Sequence, residues 1–378
     1  MVYRWRVTTT SAASRAPRLL SLDVFRGLAV AGMVVVNNPG TWSAIYPPLR
    51  HADWHGWTLT DLVFPFFLFI VGVAVPLALG PGVAPDGRLS VVVKVLRRSA
   101  VIFALGIVLN GFPWFHWATL RIPGVLQRIA VCYLLAALLY LVASWRVNAV
   151  ITAGLLLGYW IAMTLVPVPG YGPGDLSKAG NLAAYIDRAV LGPHLWQVAR
   201  VYDPEGILST MPALATTLLG VFTGIWLRSG RPPRVIVTGL AVAGAIGVAL
   251  GQVWSWWFPV NKALWTSSYV LLTAGLALLV LAALYWLIEM QGYRRWATPL
   301  AVFGVNALIL YFLSSAMARL LVLIRAADGP LLKTWLFDRL FAPWATPINA
   351  SLAYALAYLA LWWALMWVLY WRGIRVRV

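Results

Sequence analysis

Ten long apolar segments run through the sequence and restrict the chain to structures that satisfy their backbone hydrogen bonds within a lipid bilayer. A bilayer core about 30 Å thick requires roughly 20 apolar residues per helix. Hydrophobic residues make up 62% of the chain and charged residues only 11%. We therefore expect an all-α polytopic membrane protein with about ten transmembrane helices in one bundle. The predicted spans are 20–38, 59–79, 91–110, 122–143, 147–166, 206–227, 234–257, 265–288, 298–323 and 348–371.

The distribution of positive charge predicts how the bundle is oriented. A net charge of +18 would suggest nucleic-acid binding in a soluble chain, but most Lys and Arg residues here lie in connections on the N-terminal side of the membrane. Because cytoplasmic loops are rich in Lys and Arg, we expect both termini in the cytoplasm and no nucleic-acid partner. The transmembrane domain then spans 20–372, between a cytoplasmic segment 1–19 and a tail 373–378. The loops predicted on the outer side are 39–58, 111–121, 167–205 and 324–347.

The densest polar cluster lies in the first predicted outer loop and at the start of the second span. His51, Asp53 and His55 precede Asp61, which opens a strongly apolar helix. Three interpretations stay open: a capped helix start among lipid headgroups, a metal site, and acid–base catalysis by a histidine paired with a carboxylate. The histidines are four residues apart, but no Cys or third nearby His completes a usual zinc set, so we expect no metal.

Polar residues also collect at the predicted outer ends of other helices. Asn37 ends the first span, either as a C-cap or as an amide that stabilises an oxyanion. Arg128 lies about one turn inside the fourth span and is expected to face a cavity or an anionic ligand. The sixth and eighth spans begin near the clusters 202–206 and 259–269. This convergence of helix starts predicts a pocket for a polar substrate.

Seven motifs occur in a fixed order between residues 21 and 265. They are SLDVFRG at 21–27, VN at 36–37, HADWHGWTLTDLVFPFF at 51–67, RIPGVLQR at 121–128, AYIDR at 184–188, YDPEGIL at 202–208 and PVNKALW at 259–265. Together they resemble the transmembrane acetyltransferases typified by heparan-alpha-glucosaminide N-acetyltransferase. The resemblance extends from about residue 20 to about residue 315 and weakens towards the C-terminus.

The resemblance implies an enzyme that takes acetyl groups from acetyl-coenzyme A and places them on a glucosamine-type amine across the membrane. It implies that His51 is catalytic and that Asn37 lies near it, while His55 stands where the lysosomal relative has asparagine. We expect Asp61 to orient His51. His51 then acts either as a general base or as a nucleophile that forms acetyl-imidazole. The expected donor-binding residues are Arg26, Arg97, Arg98 and Arg128, and the expected acceptor-binding residues are Trp54, Asp203, Glu205, Asn261 and Lys262.

The predicted surroundings of the enzyme follow from the same features. Expected partners are acetyl-coenzyme A, the amino-sugar or glycan acceptor, the lipid bilayer and a second copy of the chain. A bundle without an organelle-targeting extension leads us to expect the cytoplasmic membrane of a bacterium. The alternative is a multi-pass permease or flippase for a glycan or lipid-linked precursor, in which Asp61, Glu205 and Arg128 serve proton coupling. No phosphate-binding loop is present, which argues against ATP-driven transport.

Overall fold

The structure is a computed structural model that describes residues 19–80, 85–326 and 329–376. Residues 1–18 of the predicted cytoplasmic segment and residues 377–378 of the tail lie outside the described residues. Apart from isolated β-bridges, the regular structure of the described part is helical. The helices are α1 Leu20–Asn37, α2 Val63–Leu79, α3 Pro85–Gly111, α4 Val125–Val142, α5 Trp145–Leu165, α6 Leu182–Leu191, α7 Thr210–Leu227, α8 Pro233–Trp254, α9 Ser267–Tyr285, α10 Thr298–Val305, α11 Ala307–Leu321, α12 Leu332–Leu340 and α13 Pro347–Trp371.

The helices confirm the prediction of a polytopic membrane protein. In the described part of the chain, eight helices are long and apolar enough to cross a membrane, and one bent pair raises this number to nine. The helix expected at 91–110 forms as α3, but it carries a run of cations in its first half and is not among the eight. The eight helices are 20–37, 59–79, 125–142, 145–165, 210–227, 233–254, 267–290 and 347–371.

The span predicted at 298–323 forms as two helices, because the chain bends by 69° between α10 and α11. Asn306 stands at the break with φ −120° and ψ 33°, outside the helical region. Its buried side chain donates to the carbonyl of Ile374 at 3.2 Å and accepts from the N–H of Val376 at 3.0 Å. Hydropathy alone cannot show that this amide bonds to the chain after α13.

Backbone-to-backbone contacts pack the centre of the bundle. A Cβ added to Gly27 in α1 would lie 1.8 Å from the carbonyl oxygen of Leu300 in α10, and one added to Gly304 would lie 1.9 Å from the carbonyl oxygen of Asp23. Only glycine permits these two helices to approach so closely. α1 is therefore held against the broken helix, and most of its residues are buried.

Three connections meet at the end of the bundle where α1 ends, which we call the histidine end. The loop between α1 and α2 contacts the loop before α9, since the N–H of Gly56 donates to the carbonyl of Val260 at 2.7 Å. It also contacts the loop that contains α6, since Trp54 Nε1 donates to the carbonyl of Leu176 at 2.7 Å. The opposite end, where α1 begins, we call the terminal end. The histidine end gathers polar side chains from distant parts of the sequence.

Candidate active site

His51 and Asp61 form a hydrogen-bonded pair at the histidine end. His51 Nδ1 lies 2.7 Å from Asp61 Oδ1, and the side chains are 43% and 1% exposed, respectively. An ionised carboxylate can only accept hydrogen bonds, so His51 donates its Nδ1–H to Asp61. Nε2, which lies 3.5 Å from Lys262 Nζ, then carries the lone pair that can accept a proton or attack an acyl carbon.

The position of Asp61 follows from local sequence. A short 3₁₀ turn at Leu59–Leu62 precedes α2, and Thr58 and Asp61 form a capping box at its start. Asp61 Oδ2 accepts the N–H groups of Thr58 and Ala52, each at 3.0 Å. These bonds fix one carboxylate oxygen to the backbone and leave the other for His51. The loop therefore orients the imidazole before any ligand arrives.

Lys262 is the third polar side chain of this cluster. Its Nζ lies 2.9 Å from His51 Nδ1 and 3.4 Å from Asp61 Oδ1. Burial lowers the pKa of Lys262, and the carboxylates of Asp61 and Glu205 act against that change. The sequence predicted Lys262 as an acceptor-binding residue, and the structure places it directly on the His51–Asp61 pair.

Trp54 and Asn261 lie beside this cluster and shape its loops. Asn261 is fully buried, and its Oδ1 accepts the N–H of Leu264 at 2.9 Å, while its Nδ2 lies 3.4 Å from His55 Nδ1. Burial lowers the pKa of His55 and favours its neutral form. The Trp54 ring packs edge-on against Tyr202, with ring centroids 5.0 Å apart. Among the described residues, no three His, Cys, Asp or Glu side chains are placed to hold a metal ion.

Asp203 and Glu205, expected to bind the acceptor, both bind Arg121. The guanidinium donates to both oxygens of Asp203, with Nε 2.9 Å from Oδ2, and also to Glu205. Burial alone would lower the pKa of Arg121, but Glu205 and Asp203 together raise it above its ordinary value. Asp203 is almost completely buried. The charge of Glu205 acts to raise the pKa of Lys262. Glu205 therefore acts electrostatically on both Arg121 and Lys262.

Arg128 has partners inside the protein. Its guanidinium donates to the carbonyl oxygens of Pro204 and Gly206, at 2.9 and 3.1 Å, and to the hydroxyl of Ser209. It also lies 5.1 Å from the centre of the Trp265 ring. The structure thus places Arg128 against the turn before α7 and does not bring it together with the other arginines expected to bind the donor.

A cavity of about 420 Å³ lies nearer the terminal end and contains two of those arginines. Arg26 and Arg98 line it, together with Tyr133 and with Asn306 at the break between α10 and α11. Arg26 donates to Asp23 and to the carbonyl of Gly304, both at 3.3 Å, and the Arg98 guanidinium lies 5.0 Å from the Tyr133 ring centre. Arg97 is exposed and is not part of this lining.

Asn37 lies in a different cavity, of about 240 Å³, at the histidine end. It shares that lining with Arg121, Gln127 and Arg319. In the described part of the chain no hydrogen bond joins Asn37 to His51. Sequence reasoning gave no role to Gln127 or Arg319, although an arginine within an apolar span is itself a signal of a polar interior site.

Comparisons with known proteins agree with the sequence motifs. Residues 18–245 match the family described as "Heparan-alpha-glucosaminide N-acetyltransferase, catalytic". The chain is 33% identical to the human protein named heparan-alpha-glucosaminide N-acetyltransferase over 353 residues, which cover 78% of this chain and 52% of that protein. The mouse protein of the same name is 32% identical over 356 residues, covering 79% and 53%. The chain thus spans about half the length of these curated relatives. His51, Asp61 and Arg121 lie within the matched residues 18–245, whereas Lys262 and Arg319 lie beyond them.

Proposed function

Because the chain belongs to the heparan-alpha-glucosaminide N-acetyltransferase catalytic family, as its motifs predicted, we propose that it is a membrane-embedded N-acetyltransferase. The proposed donor is acetyl-coenzyme A, and the proposed acceptor is the amine of a glucosamine-type sugar or glycan. The His51–Asp61 pair carries this proposal, since it presents an imidazole nitrogen with a lone pair at a polar end of an otherwise apolar bundle. An acyl transfer to an amine requires such a group to accept the proton of the attacking nitrogen.

The charge of the 420 Å³ cavity near the terminal end supports coenzyme A as the donor. Arg26 and Arg98 place two guanidinium groups on one cavity, and guanidinium forks suit phosphate oxygens. In this proposal the nucleotide end lies in the cavity and the pantetheine arm extends towards the histidine end. The terminal end then faces the cytoplasm, where coenzyme A is made, and the histidine end faces the opposite side of a bacterial cytoplasmic membrane.

The reaction at His51 balances without a metal or a redox group. The acceptor nitrogen attacks the thioester carbon while His51 Nε2 takes its proton, and the C–S bond breaks as the amide forms. The same proton then passes from the imidazolium to the departing thiolate. Asp61 stabilises the imidazolium through Nδ1–H. An acetyl-imidazole fits this geometry equally well: Nε2 attacks the thioester carbon, the C–S bond breaks and the thiolate leaves, and the acceptor amine then attacks the acetyl carbon, loses a proton and frees Nε2, which gives the same amide and thiol.

Asn37 and Arg121 support the proposed position of the acyl group. Asn37 and Arg121 line the same cavity. Arg121 pairs with Glu205, and the charge of Glu205 acts to raise the pKa of Lys262 beside His51. A thioester carbonyl between Asn37 and His51 would receive a hydrogen bond from the Asn37 amide as its oxygen becomes negative. Loss of one such donor costs about 2.7–4 kcal/mol in known oxyanion sites.

Radiolabelled acetyl transfer by the purified full chain tests the proposal. We expect label from acetyl-coenzyme A to appear on glucosamine with the wild type, and we expect His51→Gln to lower turnover by at least about 10³-fold. His116→Gln is the matched control, because His116 is an exposed histidine in another loop of the same end. Equal turnover of wild type and His51→Gln would remove His51 from the mechanism. Uptake of a glycan precursor by liposomes, without any acetylated product, would instead favour the permease.

A further inference from the structure

An apolar groove opens beside α8, on the side of the bundle that faces lipid. It has a volume of about 430 Å³, and α7, α8 and α9 each contribute to its lining. Much of α8 lies outside the core, since Val242, Ile246 and Leu250 are each 53% exposed. We call this cavity the α8 groove. It shares no lining residue with the cavities that contain Asn37 or Arg26.

Small residues on one face of α8 leave the space that forms the groove. Gly239, Ala243 and Gly247 follow one another at intervals of four residues, so they lie on the same side of the helix. A Cβ added to Gly239 would lie 2.4 Å from the Trp226 ring of α7, and one added to Gly247 would lie 3.0 Å from Gly275 Cα of α9. Between these two contacts, Ala243 contributes only a methyl group. The groove is therefore shallowly walled by α8 and open to a long, thin occupant.

The lining favours an apolar occupant. Among the described residues that line the groove, only Thr223 and Trp226 have polar side chains. Thr223 Oγ1 donates to the carbonyl of Leu219 at 2.9 Å, and Trp226 Nε1 donates to the carbonyl of Ile236 at 3.1 Å. Both donors are thus satisfied within the protein. A sugar or a nucleotide would lose its hydrogen bonds to water here without replacement, whereas an acyl chain would lose none.

Positive charge stands at the terminal end of the groove. The stretch from the end of α7 to the first turn of α8 contains Arg228, Arg231 and Arg234, and it contains no Asp or Glu. Arg228 donates to the carbonyl of Pro76. Arg231 and Arg234 are exposed, and neither forms a salt bridge within the part of the chain that the structure describes. The guanidinium of Arg231 lies 4.4 Å from the centre of the Trp226 ring, which itself lines the groove.

We propose that the α8 groove binds one anionic phospholipid from the leaflet at the terminal end. One acyl chain lies in the groove, and the phosphate contacts Arg231, with Arg234 adding charge. Guanidinium forks suit phosphate oxygens, and a tryptophan at this depth has its apolar ring among acyl chains and its polar edge near the headgroups. The net negative charge of the lipid matches a cluster of cations without acidic neighbours. The groove therefore selects anionic phospholipids over zwitterionic ones.

Native mass spectrometry of the full chain in detergent tests the charge of the site. The probes are phosphatidylglycerol and phosphatidylcholine with identical acyl chains. We expect the wild type to retain one phosphatidylglycerol at least about tenfold more tightly than phosphatidylcholine, because two arginines next to one anionic headgroup suffice for that difference. Arg231→Gln combined with Arg234→Gln should reduce the preference to less than about threefold. Arg146→Gln is the matched control, because Arg146 is an exposed arginine at the terminal end that lies 5.6 Å from the Trp145 ring centre, and neither residue lines the groove.

A second pair of variants tests the groove itself. Ala243→Phe should lower the affinity for both lipids at least about tenfold, because the added ring and an acyl chain cannot occupy the same volume. Ala245→Phe is its control, since Ala245 is an exposed residue of α8 outside the lining. Both variants should unfold at the wild-type temperature in lipid-free detergent, which separates filling of the groove from misfolding. The soluble headgroup sn-glycerol 3-phosphate should not displace the bound lipid.

Several outcomes would overturn the lipid site. They are equal retention of the two lipids by the wild type, an equal loss of preference in Arg146→Gln, and undiminished lipid binding by Ala243→Phe. Displacement by sn-glycerol 3-phosphate would show that the cations hold a phosphate without the groove. A dimer that persists without lipid and separates in Ala243→Phe would assign the groove to a second copy of the chain. None of these measurements involves acetyl transfer, so the lipid site and the acetyltransferase proposal stand or fall separately.

Discussion

Replacing Asp61 with asparagine should reverse the tautomer of His51. In the wild type, Asp61 Oδ1 accepts from His51 Nδ1 at 2.7 Å, and Oδ2 accepts two backbone N–H groups at 3.0 Å. An asparagine amide oxygen would keep the backbone bonds, so its NH₂ group would face His51. Nδ1 must then accept, the proton moves to Nε2, and the free lone pair no longer faces the substrate.

The expected loss can be stated from this geometry. A base histidine held in the wrong tautomer loses about 10⁴-fold in turnover, and at about 1.36 kcal/mol per tenfold this corresponds to roughly 5.5 kcal/mol of barrier. We expect Asp61→Asn to lower kcat by that order, with little change in the KM for acetyl-coenzyme A. The assay is acetyl transfer from labelled acetyl-coenzyme A to glucosamine by the full chain.

Asp53→Asn is the control for this prediction. Asp53 is an exposed carboxylate two residues from His51, so its replacement removes the same charge from the same loop. We expect Asp53→Asn to retain wild-type turnover. If Asp61→Asn retains turnover within threefold of the wild type while its thermal unfolding is unchanged, then the orientation of His51 by Asp61 is refuted.

Three further predictions concern the arginines and one buried acid. Arg98→Gln should weaken coenzyme A binding about tenfold in calorimetry, a loss of about 1.4 kcal/mol, and Arg97→Gln should leave it unchanged; equal effects would contradict a specific cavity. Arg128→Met should lower the stability to thermal unfolding by at least about 1.5–3 kcal/mol with no change in coenzyme A affinity, because its guanidinium donates to the turn before α7. Burial raises the pKa of Asp187 in α6 to about 6, from 3.8, so the ionised form is disfavoured in the folded state. The wild type should therefore lose up to about 3 kcal/mol of stability as pH rises from 4 to 6, and a melting curve of Asp187→Asn that keeps this loss would contradict the assignment.

The helices and the His51–Asp61 pair follow from short stretches of sequence. Apolar segments of about 20 residues require helices in a bilayer, and those segments form them. Thr58, Asp61 and His51 lie within eleven residues of each other, so the capping box and the histidine contact arise from one loop. Local chemistry of this kind can be inferred from residue order alone.

Other parts of the site depend on contacts between distant residues. Arg121 meets Asp203 across 82 positions and Glu205 across 84, so two carboxylates that looked available for an acceptor bind an arginine of the protein instead. Arg128 was expected to face a ligand because its depth in the span was unexplained, yet carbonyl groups 76 and 78 positions away accept its hydrogen bonds. The break at Asn306 depends in the same way on a contact with the chain after α13. Composition and periodicity carry no information about which distant carbonyl or carboxylate satisfies a given cation.

The central claim is that this bundle passes an acetyl group from one face of the membrane to an imidazole at the other. The most direct test measures acetyl transfer in proteoliposomes with the donor and the acceptor on opposite sides of the membrane. Acetyl-coenzyme A is enclosed within the vesicles, glucosamine is supplied only outside, and the chain is inserted with its terminal end inward. We expect N-acetylglucosamine in the outer medium with the wild type and none with His51→Gln. Product that forms only when both substrates share one compartment would contradict it.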